Sequence, residues 1–249
     1  MFLKTPAINE TAIVTDIVRQ DYRTADIFKK YGIDFCCGGK WPLKTACEMR
    51  GLEVEHVIQE LENATRNVSV SNLLNYHDWD LDFLTDYIIN IHHRYLDKAL
   101  PLLKEQLEKF IEGHGDKFLY LEELQAIFLR LYKEIMPHLR QEEDIIFPYI
   151  RQIAHAYKSD ESYAGLLVRT LRKPIETVMQ HEHETMDKVL SKMRELTGYY
   201  TAPSNACISH KVVFSKLKEM DEDLVQHIHL ENDILFPRAI AMENELLHK

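Results

Sequence analysis

Apolar residues in this chain recur at helical spacing. Leu81, Leu84, Ile88, Tyr95 and Ala99 form one series, and Ile89, Leu96, Leu100 and Leu103 run beside it. Such a stripe lines one face of a helix. No stretch alternates strictly enough to read as a half-buried strand, so the pattern predicts an all-α protein. From about residue 78 it predicts four long helical segments, roughly 79–112, 117–158, 162–197 and 205–246. The connections "EGHGDK", "YKSDES" and "GYYTAPSN" are rich in turn formers. Four amphipathic segments with short connections make an up-down-up-down four-helix bundle. Pro137, Pro148, Pro174 and Pro237 predict kinks or helix ends.

Ahead of the bundle, residues 10–63 read as several short helices, "TAIVTDIVRQ", "RTADIFKKYG", "PLKTACEMRG" and "EVEHVIQELE". Gly32, Gly38, Gly39 and Gly51 separate them, in keeping with glycine as a helix terminator. "NATRNVSVSN", at 63–72, is polar, β-branched and without helical period, and reads as a linker. The predicted organisation is a small helical domain over 1–65, a linker over 66–78 and a bundle over 79–249.

Charge narrows the partners. Asp and Glu outnumber Lys and Arg by 40 to 30, a net charge of −10, which argues against nucleic acid and against an anionic membrane surface. The apolar runs are too short to span a bilayer, and "MFLKTPAINETAI" lacks the apolar segment of an export signal. A cytoplasmic location is therefore expected, with the cysteines Cys36, Cys37, Cys47 and Cys207 reduced.

The bundle contains an internal repeat. "HLRQEEDIIFP" (138–148) and "HIHLENDILFP" (227–237) agree in register at His, Glu, Asp, Ile, Phe and Pro. Upstream, "HRYLDKAL" (93–100) and "HETMDKVL" (183–190) share His, Asp, Lys and Leu. Each half thus supplies one His on its first helix and a His-x3-Glu on its second. That spacing stacks both side chains on one helix face. The candidate ligands are His93, His138, Glu142, His183, His227 and Glu231. Imidazole and carboxylate without thiolate suit iron or manganese, and two carboxylates can bridge two metals. Zinc competes for the same donors. One His-x3-Glu alone is a common helix pairing. Its recurrence with matching flanks favours a metal site, because burying six such groups without one is costly.

Alignment of the halves selects His93 over its neighbour His92, and His183 over His181. His92, His181 and His229 then either stand behind the ligands or lie at the surface, with the surface expected for each. Glu134 and Glu182 either tune a ligand or lie on a solvated helix face. Cys47 and Cys207 have no partner motif and read as structural.

With these motifs in place, the chain resembles the RIC family of di-iron proteins that repair iron–sulfur clusters. A hemerythrin-like bundle with His and His-x3-Glu in each half follows a small domain carrying "IDFCCGGK". The resemblance runs from "IVTDIVRQDYRTADIFKKYGIDFCCGG" to "HIHLENDILFPRA". It implies two non-haem iron ions with an oxo bridge on the six positions above, and a functional thiol pair at Cys36 and Cys37. It implies repair of clusters damaged under nitrosative or oxidative stress. The partners it implies are proteins with damaged clusters, nitric oxide or oxygen as ligands, and a second copy of the chain in a homodimer. Oxygen-carrying hemerythrins use His-x3-His and a late aspartate, so paired His-x3-Glu favours repair. Two mechanisms fit: iron donation assisted by Cys36 and Cys37, or nitric oxide reduction at the same metals. A diatomic-gas sensor and a metal-free interaction bundle are the competing functions. Pro137 departs from the family pattern and predicts a bend beside His138.

Gly38 and Gly39 let the backbone turn tightly behind the two thiols. Without a metal domain, two small buried residues in a turn is the better reading of Cys36 and Cys37. With one, metal transfer or redox chemistry is, since vicinal thiols form a strained and easily reduced disulfide.

Overall fold

The computed structural model describes residues 8–36, 39–65, 74–159, 168, 170 and 175–248, the first six of that last stretch by their backbone alone. The chain is an all-α helical protein. Among the described residues the one β feature is an isolated bridge between Ile13 and Pro42. None of their helices is long and apolar enough to cross a membrane. Two compact units emerge, Met1–Leu74 with Tyr200–Leu217, and Asn75–Tyr199 with Lys218–Lys249.

The first unit holds helices α1 (Val14–Gln20), α2 (Thr24–Lys30), α3 (Leu43–Glu48) and α4 (Val54–Ala64). Val14, Phe28, Leu43, Cys47, Val57 and Leu61 are fully buried at its centre. Cys47 is thus a core residue, as its lack of a partner motif suggested. Helices α2 and α3 stop where Gly32 and Gly51 turn left-handed, at φ +64° and +66°. Beyond each glycine a backbone N–H reaches back five residues, Ile33 to the Phe28 carbonyl and Leu52 to that of Cys47, as in a Schellman stop. The unit also claims residues 200–217, which the sequence pattern assigned to the bundle. The reason is apolar: Ile208 and Val212 pack into this core, and Lys216 pairs with Asp26.

The second unit is a bundle. After a 3-10 turn at Tyr76–Asp78 come α5 (Leu81–Tyr87), α6 (Arg94–His114), α7 (Tyr120–Gln141), α8 (Phe147–Ser159) and α9 (Ile175–Thr197). The last helices are α10 (Ile208–His229), shared with the first unit, and α11 (Phe236–His248). Helix α7 packs against α6 and α9, and α8 against α5 and α11. Three joints in this series are π-helical: Ile88–His93, Glu142–Ile146 and Leu230–Leu235. An extra residue per turn rotates the side chains around it, and such segments gather at functional sites.

Pro148 and Pro237 stand just behind two of these π segments, where the lost N–H is least disruptive. Pro137 does not end its helix. It lies inside α7, which continues through it to Gln141. Pro174 lies outside the described residues, as does most of the predicted linker.

Candidate metal centre

All six predicted ligands converge in the middle of the bundle, each at most 3 % exposed. They fall into two groups that share both carboxylates: His93 and His227 with Glu142 and Glu231, and His138 and His183 with the same pair. Within each group, ligand atoms lie within 4.8 Å of one another. The lobes therefore form across the two halves of the repeat, one imidazole coming from each half. Imidazole Nε2 atoms approach to 3.1 Å between His93 and His227, and to 2.9 Å between His138 and His183. Glu142 reaches His138 Nε2 at 3.2 Å and His93 Nε2 at 3.5 Å. Glu231 reaches His227 Nε2 at 2.9 Å and His183 Nε2 at 3.4 Å.

The outer nitrogens explain how the rings are aimed. His93 Nδ1 donates to Glu143 Oε1 at 3.0 Å, His138 Nδ1 to Glu182 Oε2 at 2.6 Å, and His183 Nδ1 to Asn232 Oδ1 at 2.8 Å. A carboxylate or amide oxygen only accepts, so the proton of each neutral ring sits on Nδ1. Each Nε2 then directs a lone pair inward, the arrangement a metal ligand needs. Phe147 stacks on His93 and Phe236 on His183 at ring distances of 5.4 and 6.1 Å, walling the site with apolar surface.

Electrostatics give the strongest test of fit. Both oxygens of Glu142, and Oε2 of Glu231, are buried without a hydrogen-bond partner among the described residues. A buried polar group left so costs roughly 1–3 kcal/mol, and a charged one more. Burial works to lower His138, but Glu142, Glu231 and Glu182 outweigh it and lift its pKa to about 9. The same contest raises His93, against burial, through Glu231, Glu142 and Glu143. Burial wins at His227 and lowers it. Burial also opposes charge on Glu231, yet the surrounding imidazoles hold its pKa well below the ordinary carboxylate range. Neutral rings with inward lone pairs and carboxylate oxygens left without a hydrogen-bond partner among the described residues are what a bound cation would satisfy, and each of the two groups could hold one.

The lobes are not equivalent on their outer side. Both imidazoles of the His138–His183 lobe are anchored. In the other lobe His227 Nδ1 is buried with no hydrogen-bond partner among the described residues. His92 lies parallel to it instead, with ring centres 5.9 Å apart. His92 is 1 % exposed and its Nδ1 bonds Asp223 at 3.0 Å, so it is a buried neighbour of the site rather than the surface residue expected. His181 and His229 are exposed, as expected. Glu134 pairs with Arg130 on a helix face. A surface cavity of about 180 Å³ opens beside Glu182, lined also by Glu134, His181, Thr185 and Met186.

Glu143 and Asn232 were missed from sequence, although the repeat marks them. Both directly follow a predicted carboxylate ligand, both are polar, and each anchors the first-helix His of its own half. Of the predicted thiol pair, Cys36 is half-buried in the first unit, while Cys37 lies outside the described residues. Cys207, read as structural, stands with its thiol in hydrogen-bonding reach of Cys36.

Two family models match the chain. Residues 10–65 match the ScdA_N family, a domain of unknown function, and residues 84–239 match the hemerythrin HHE cation binding domain. The chain is 33 % identical to the iron–sulfur cluster repair protein YtfE of Citrobacter koseri, over 89 % of this chain and 93 % of that one. It is 30 % identical to the iron–sulfur cluster repair protein ScdA of Staphylococcus haemolyticus, over 92 % and 98 %. A probable iron–sulfur cluster repair protein of Haemophilus influenzae is 32 % identical over 86 % and 90 %.

Proposed function

The chain belongs to the iron–sulfur cluster repair family, with a ScdA_N unit ahead of a hemerythrin HHE cation-binding domain, and on that premise we propose that it stores two iron ions and donates iron to damaged clusters. The observation that carries this reading is the sharing of Glu142 and Glu231 by two four-ligand groups. His93 and His227 would hold one ion and His138 and His183 the other, with both carboxylates common to the two.

Iron bound there is the cargo, a redox-active ion that a damaged cluster has lost. What the chain supplies is a dry, acidic seat whose ligands change protonation on loading and release. When iron leaves, Glu142 and Glu231 lose their counter-charge, and a proton returns to His138, which these carboxylates and Glu182 favour. The centre thus exchanges a metal cation for protons, which keeps its buried charge balanced. Cys36 and Cys37 are the soft thiolates proposed to receive iron on its way to a client protein.

Elemental analysis of protein purified without added metal tests the first part, with iron at about two per chain expected from the two ligand groups. Transfer of that iron to a nitric oxide-damaged cluster enzyme, read as recovered activity, tests the second. The Cys36→Ser/Cys37→Ser variant should keep its iron and lose repair. Zinc in place of iron, or unchanged repair in that variant, would overturn the reading.

A further inference from the structure

We propose that Cys36 and Cys207 form a redox-active dithiol, with Cys207 the resolving partner of Cys36. The two cysteines come from opposite ends of the chain, yet their thiols are hydrogen-bonded neighbours within one compact unit. Both are partly exposed, so small oxidants reach them.

The backbone holds each thiol in place. On one side, Asp34 Oδ1 accepts the Cys36 N–H at 2.8 Å. Thr15 Oγ1 clamps the same loop, donating to the Gly39 carbonyl at 2.7 Å and to that of Phe35 at 3.2 Å. On the other side, Cys207 immediately precedes helix α10, whose first turns are anchored by Ile208 and Val212 in the apolar core. The backbone N–H groups of Ser209 and His210 point at the Cys207 sulfur. Burial pushes the Cys207 thiol up, and these contacts work the other way, favouring negative charge on sulfur at a helix N-terminus, where a resolving thiol must pass through its thiolate.

Two thiols by themselves complete a disulfide but not a metal site. Zinc and iron take four ligands in thiolate sites, and the described groups that can hold a metal do not include these sulfurs. A vicinal Cys36–Cys37 bridge would close a cramped ring and join nothing distant. A Cys36–Cys207 bridge would tie the thiol-bearing loop to the start of α10.

The chemistry balances with a low-molecular-weight disulfide such as oxidised glutathione. The Cys36 sulfur bonds one sulfur of the disulfide, whose S–S bond breaks, and the first small thiol leaves with the Cys36 proton. The Cys207 sulfur then bonds the Cys36 sulfur, and the second small thiol leaves with the Cys207 proton. Two electrons pass from the protein to the glutathione. This inference stands on the first unit alone and holds whatever metal the bundle carries.

The test is a non-reducing peptide map of the full chain after equilibration in glutathione redox buffers and alkylation. Trypsin releases Cys36 and Cys37 together in 31–40 and Cys207 in 195–211. The expected oxidised product is the 31–40/195–211 cross-link, retained in Cys37→Ser and lost in both Cys36→Ser and Cys207→Ser. An internal bridge in 31–40, a cross-link that survives Cys36→Ser, or thiols alkylated throughout would each overturn it. Iron content, followed in the same samples, should not change with the bridge. The map reads the bridge directly, independently of any repair activity.

Discussion

Glu182 Oε2 accepts a 2.6 Å hydrogen bond from His138 Nδ1, across from one half of the repeat to the other. It fixes the ring that Glu142 meets on the inner side and raises that ring's basicity from a partly exposed position. Outer partners of this kind typically govern metal affinity by 10- to 100-fold. Glu182→Gln should therefore weaken the His138–His183 lobe by about that factor and leave the other lobe unchanged. Glu143→Gln should do the reverse. Release of metal to a competing chelator checks both, since only one of two phases should accelerate in each variant. Glu134→Gln, which loses only a pair with Arg130, is the control.

Loading should depend on pH in a defined direction. A metal ligand must be neutral imidazole, whereas His138 in the metal-free centre keeps its proton up to about pH 9. Uptake therefore displaces a proton, and apparent affinity should rise with pH until about 9. For the metal-free protein the sign is opposite. A histidine whose pKa is raised by folding contributes stability that is complete below its ordinary value of about 6.5. That contribution is lost as pH climbs from there to about 9. His93 acts in the same direction; His227, lowered by burial, costs stability only below its ordinary pKa. Thermal melts of metal-free and metal-loaded protein at pH 6.5 and 9 should show the alkaline loss in the metal-free form alone.

The shared carboxylates should matter to the metal-free centre as well. Removing one side of a buried charged pair commonly costs about 3–5 kcal/mol, and Glu142 and Glu231 are the groups that keep the proton on His138. The Glu142→Leu/Glu231→Leu variant should accordingly unfold at lower denaturant than the wild-type protein stripped of metal. It should remain helical and bind no coupled metal pair. Retention of two strongly coupled irons in that variant would sink the ligand assignment.

Much of this molecule was legible from residue periodicity. Apolar spacing from Leu81 to Leu103 announced a helix, and the repeat identified six side chains that the fold brings together. Their pairing was not legible. The repeat fixes a position along a helix but not which imidazole it faces, and His93 meets His227 of the other half rather than His138 of its own. His92 looked like a surface residue because a helix sends adjacent side chains in different directions. The π segment ending at His93 rotates that local geometry, and His92 too is buried. Cys207 carried no motif, and its contact with Cys36 exists only after helix α10 has seated on a core formed much earlier in the chain.

Gly39 offers a way to loosen the thiol-bearing loop without touching a thiol. A Cβ built at this position would lie 2.8 Å from the Phe35 carbonyl and still closer to Thr15 Oγ1. Neither can yield cheaply, because the Thr15 hydroxyl is held by the Gly39 and Phe35 carbonyls and Phe35 contributes backbone. Overpacking a tight site of this kind costs about 1–3 kcal/mol. Gly39→Ala should lower stability by that amount and shift the cross-link from Cys36 toward mixed disulfides with glutathione, as the loop drifts from Cys207. None of the six metal-centre side chains belongs to the unit that contains Gly39, so iron per chain should stay at the wild-type value. Peptide mapping and elemental analysis on the same preparation separate the two effects, and a fall in iron content would show that the loop supports the metal centre as well.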